Sequence, residues 1–82
     1  MTIDQLVPLT NGLSVSACSQ TLALDRARVI GLAGGGIDMS FRIAGTDYAP
    51  RFRLSRQMLA TMSFDELVPI LRHVAARAIG CW

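Results

Sequence analysis

Three groups of residues in this chain could do chemistry. They are the glycine run GLAGGGID at 31–38, the set Cys18, His73 and Cys81, and eight arginines with no lysine. Gly31 and Gly36 have the spacing of a phosphate-cradling loop. That chemistry also needs a Lys and a Ser or Thr at the end of the run, with a helix N-terminus aimed at the phosphate. Here Ile37 and Asp38 follow, the next segment alternates like a strand, and the Asp38 carboxylate would repel a phosphate. The dinucleotide fingerprint fails as well, because Gly34-x-Gly36 leads to Met39 where a third glycine is required. The run is therefore expected to be a hairpin connection, where positive φ suits glycine.

His73 is the only histidine, and it falls beside Arg72 on the polar side of a C-terminal helix. One histidine and two distant cysteines make a poor zinc set, so no metal is expected. A Cys–His nucleophile pair depends on spatial approach, which sequence leaves open; a surface histidine is the favoured reading. Close carboxylate pairs, triads and a Schiff-base lysine are all missing from the sequence. The chain is expected to be no enzyme and to use no cofactor. Residues 15–18, VSAC, have the form of a lipoprotein cleavage box. A secretion signal needs a positively charged start, whereas residues 1–17 hold Asp4 and no Lys or Arg. The expected location is therefore a reducing bacterial cytoplasm. Both thiols are expected to be free there, with Cys18 partly buried and Cys81 a candidate for a disulfide between chains.

The arginines carry the most information. Against six acids they leave a net charge of +2, too little to imply nucleic acid by itself. Exclusive use of Arg fits a GC-rich genome, and guanidinium forks also suit carboxylate or phosphate recognition. Their worth depends on which elements gather them.

Between 37 and 54 the period is two. Ile37, Met39, Phe41 and Ile43 alternate with Asp38, Ser40, Arg42 and Ala44. After Gly45-Thr46, Tyr48, Pro50, Phe52 and Leu54 alternate with Ala49, Arg51, Arg53 and Ser55. Gly45 in a two-residue type II′ turn predicts a hairpin 37–44/47–54. That register pairs Ile43 with Tyr48, Phe41 with Pro50, Met39 with Phe52 and Ile37 with Leu54 on one apolar face. Arg42, Arg51 and Arg53 share the other face, with Arg56 just beyond. A slip of one residue would bury the arginines. Pro50 lacks a donor, so its strand should lie at the sheet edge. Upstream, 28–33 can pair with 37–43 through the glycines, bringing Ile30 and Leu32 onto the apolar face. Residues 13–18 make a weaker strand, and 19–27 fit either a helix capped by Ser19 or an extension of the sheet.

Two near-copies, MTIDQLVPL at 1–9 and MSFDELVPI at 62–70, start helices. Thr2-x-x-Gln5 and Ser63-x-x-Glu66 are capping boxes, and Asp4 and Asp65 favour the positive end of the dipole. The first helix spans about 3–10 before Asn11-Gly12 stops it. The second carries an apolar stripe through Phe64, Leu67, Leu71, Val74, Ala75, Ala78 and Ile79, and spans 64–79. Ser55 caps a short helical turn through Met62. The whole, residues 1–82, reads as one α+β domain: a three- to four-stranded antiparallel sheet under a C-terminal helix.

Hydrophobic residues make up 51% of the 82 residues but aromatics only 6%. That is more apolar material than one small core needs, which suggests a homodimer, a larger homo-oligomeric assembly or a partner surface. No apolar run approaches the length of a membrane-spanning helix.

The order hairpin, then LSRQML at 54–59, then an amphipathic C-terminal helix resembles several small bacterial and phage proteins. Over its whole length the profile is similar to phage-encoded inhibitors of the anti-CRISPR type. The resemblance implies a phage or mobile-element protein that blocks a host protein or ribonucleoprotein complex by stoichiometric binding, without catalysis. The expected contact residues are Arg42, Arg51, Arg53 and Arg56. Nucleic-acid binding through the same arginines is the alternative. It is disfavoured because the hairpin aromatics face away from them.

Overall fold

The computed structural model describes residues 1–81. In chain order the elements are α1 (Ile3–Thr10), β1 (Ser14–Ala17), β2 (Gln20–Ala33), β3 (Gly36–Ile43), β4 (Arg51–Ser55), α2 (Arg56–Thr61) and α3 (Phe64–Ala78). The four strands form an antiparallel meander in the order β1-β2-β3-β4. The α+β architecture matches the reading from sequence. Among the described residues, no helix is long and apolar enough to cross a membrane.

The helices begin where their capping residues stand. The Thr2 hydroxyl accepts the Gln5 N–H, and the Gln5 side chain accepts the Thr2 N–H at 3.0 Å. At α3 the Glu66 carboxylate accepts both the N–H and the hydroxyl of Ser63. Ser55 caps α2 by accepting the Met58 N–H at 3.1 Å. The repeated string thus marks two helix starts with reciprocal caps.

The register of β3 against β4 is Ile37–Leu54, Asp38–Arg53, Met39–Phe52 and Ser40–Arg51, as the alternation predicts. The turn differs. Thr46 N–H donates to Ile43 O at 3.1 Å with Gly45 at φ 81°, so Gly45 takes the third position of a four-residue turn. The Thr46 hydroxyl also donates to Ile43 O, at 2.7 Å, and accepts the Tyr48 N–H at 3.1 Å. These bonds compete with a tight hairpin. Residues 47–50 are not strand and β4 starts at Arg51. Ile43 N–H still donates to Tyr48 O at 3.1 Å, as the expected pairing has it, but the Tyr48 side chain is 51% exposed instead of joining the core.

Residues 20–27 are strand, continuous with 28–33. Cys18 and Ser19 form the tight turn from β1, with φ of 50° and 62°. β2 carries two irregularities against β3. Asp25 pairs with Arg42 and Arg28 with Ser40, leaving Arg26 and Ala27 both opposite Phe41. Arg26 has φ 51°, the left-handed conformation that lets one extra residue bulge outward. The second irregularity leaves Ile30 between the pairs Val29–Met39 and Gly31–Asp38. It corrects the expected apolar face: Ile30 is expelled and 38% exposed, and Leu32, near the open end of the sheet, is 70% exposed.

Under the sheet lie two contiguous clusters. Val15, Leu22, Leu24, Ala27, Phe41 and Ile43 pack against Leu71 and Ala75 of α3. Ile37, Met39 and Leu54 pack against Leu67 of α3 and Leu6 of α1. Phe52 and Phe64 touch both clusters, and the Phe41 and Phe52 rings meet at 5.5 Å. Each fully buried large side chain contributes about 1.5–3 kcal/mol. The sheet therefore cannot turn over without a large loss, and its outer face is fixed.

Candidate interaction surface

The outer face is built in rows across three strands. Asp25 and Arg42 form one, Arg28, Ser40 and Arg51 the next, and Gly31, Asp38 and Arg53 the third. The bulge adds Arg26 between the first two, where Arg26, Arg28, Arg42 and Ala49 line one concavity. Ser40 sits low between Arg28 and Arg51 and is only 5% exposed. Five guanidinium groups and two carboxylates thus share this face.

The two carboxylates are occupied. Asp25 takes a fork from Arg42, with Nε–Oδ1 at 3.0 Å and Nη2–Oδ2 at 2.8 Å. This hydrogen bond holds the Asp25 carboxyl below its ordinary pKa and raises that of Arg42. Asp38 lies 3.8 Å from the Arg53 Nε. Among the described residues, no acid stands within ion-pair distance of Arg26, Arg28 or Arg51. Arg51 also borders a shallow groove with His73 and Arg77 of α3, so positive charge continues past the β4 edge.

The structure brings together Arg42, Arg51 and Arg53, as expected from the alternation. Arg56 is separate. It heads α2, where its N–H donates to Gly35 O at 2.7 Å, and it lines a cleft with Ile3, Leu32, Leu59 and the glycine turn. A strand ending at Ser55 turns the chain into a helix, which carries Arg56 off the face. Arg26 and Arg28 were not anticipated. Their signal is a phase change in β2: Leu22 and Leu24 are buried, then Ala27 rather than Arg26. The extra residue is held from below, since Asn11 Oδ1 accepts the Ala27 N–H at 2.9 Å.

The other candidates resolve differently. Gly34 and Gly35, at φ 58° and 81°, make the β2–β3 turn, and a strand follows rather than a helix. Among the described residues no group of three or more metal-ligating side chains assembles. Cys18 is exposed, not partly buried. Cys81 was offered above for a bridge between chains with both thiols free, but the structure bonds it to Cys18 within the chain, Cα–Cα 6.2 Å. The left-handed Gly80, φ 79°, ends α3 and turns the chain back toward the β1–β2 turn. Comparison with known families, characterised proteins and solved structures finds no match for this chain.

Proposed function

We propose that this chain is a non-enzymatic binding module whose outer sheet face occupies an acidic surface on a protein partner. One observation carries the reading: Arg26, Arg28 and Arg51 stand together on strands with no acid within ion-pair distance among the described residues. Guanidinium forks on a preorganised sheet lose little freedom on binding carboxylates, and charge complementarity gives steering and specificity. Stoichiometric blocking of a host complex is the form of this activity that the inhibitor-like profile suggests.

Nucleic acid is the second reading, favoured by the positive charge that continues from Arg51 to Arg77. It ranks lower because Phe41 is buried and Phe52 packs on both core clusters, which leaves the exposed Tyr48 as the single hairpin aromatic able to stack on a base, where such binding uses several. Titration of the immobilised protein with a polyglutamate peptide and with single-stranded DNA separates the two. The proposal expects retention of the acidic peptide and its loss in Arg28→Glu/Arg51→Glu. Tighter DNA binding, with a salt slope steepening by about one unit per phosphate contact, would favour the second reading instead.

A further inference from the structure

The Cys18–Cys81 bond joins the β1–β2 turn to the end of α3, outside the arginine rows of the sheet, and its chemistry does not depend on that reading. Its two sulfurs stand in unlike surroundings. Cys18 is exposed in the β1–β2 turn, while Cys81 is half-buried beyond the end of α3. Both border a groove between β1 and α3 that Arg72 and His73 also line. We propose that this bond is a thiol-exchange site, opened by small thiols, and that its opening releases the C-terminal turn from the β1–β2 hairpin.

The asymmetry assigns the direction of attack. A thiolate reaches the exposed Cys18 Sγ, forms a mixed disulfide there, and displaces Cys81 as the leaving thiolate. A cationic neighbour lowers the pKa of a leaving thiol and speeds its departure. Arg72 supplies that charge in the groove. A second small thiolate then attacks the small-molecule sulfur of the mixed disulfide. It releases the Cys18 thiolate and a small-molecule disulfide. Two electrons enter the protein and two small thiols are oxidised, so the exchange balances.

Local structure says what changes on opening. A two-residue turn with positive φ at both central positions favours Asn-Gly, yet Cys18 and Ser19 occupy this one. Left-handed conformations cost side-chain-bearing residues energy and persist where the surroundings enforce them. Here the covalent tether to Cys81 is one such constraint. On the other side, Gly80 N–H to Arg77 O and Cys81 N–H to Ala76 O, at 3.1 and 2.7 Å, hold the last turn. Reduction leaves those two hydrogen bonds as its local anchors.

The test uses the folded, oxidised protein and glutathione. The expected first product is a glutathione adduct on Cys18, identified by peptide mass, formed without denaturant. Arg72→Glu should slow its formation about tenfold while the thermal transition stays in place. After full reduction, amide exchange should quicken in 16–21 and 77–81 at least tenfold more than in 37–43, whose buried strand follows only the global loss of stability. The Cys18→Ser/Cys81→Ser variant should reproduce that pattern with no reductant present. Adducts found first on Cys81, or reaction only under unfolding conditions, would overturn the proposal. So would unchanged exchange in both segments after reduction.

Discussion

The side-chain carbonyl of Asn11 accepts the backbone N–H of Ala27 at 2.9 Å, sixteen residues along the chain. The bond joins the end of α1 to the bulge of β2. A bulge leaves a ladder group unpaired, and here the C-cap residue of α1 satisfies it. The same bulge turns Arg26 outward and Ala27 inward. A helix cap at one side of the domain thus sets the composition of the opposite face.

Asn11→Ala should accordingly do two things. It leaves the partly buried Ala27 N–H without its acceptor, which costs about 1–3 kcal/mol. It also loosens the placement of Arg26. Thermal denaturation should show the loss of stability, and Asn11→Asp, which keeps an acceptor oxygen, should recover most of it.

The Arg42–Asp25 fork predicts a pH dependence. The folded carboxyl lies below its ordinary value, chiefly through the Arg42 hydrogen bond. Its contribution is therefore present above the unfolded value of about 4 and fades as pH falls through the folded value. Asp25→Asn should flatten the acid side of the stability profile while leaving the neutral side with a smaller transition temperature. Parallel acid titrations followed by circular dichroism measure the difference.

The disulfide joins residues 63 apart. Closing a loop of that length restricts the unfolded chain by about 4 kcal/mol in the chain-entropy account. Reduction or Cys18→Ser/Cys81→Ser should lower stability by roughly 2–4 kcal/mol. In a domain of this size, that is a fall in Tm of about 10–25 °C. Paired melts with and without a dithiol reductant provide the check.

The hydrophobic alternation made the strand register legible. Ile37, Met39, Phe41 and Leu54 cannot leave the core without burying Asp38 and Arg53. Two capping boxes and the Ser55 cap made the three helix starts legible as well. The hairpin turn was not, because the Thr46 side chain joins the backbone in closing it. Arg26 and Arg28 were hidden by the bulge: alternation counted from Leu22 and Leu24 would aim Arg26 inward, and only the buried Ala27 betrays the shift. The cysteine pair was invisible for another reason. No local pattern brings together residues so far apart in the chain.

The central claim is that Arg26, Arg28 and Arg51 act as one contact surface. Replacing Arg28 and Arg51 by Glu places both changes on exposed positions flanking Ser40, so the melting temperature should move little. The most direct measurement is calorimetric titration of the protein and this double variant with a polyglutamate peptide. Saturable binding by the parent at about one peptide per chain, reduced at least a hundredfold in the folded variant, is the predicted result. Equal affinity for the two folded proteins would contradict it.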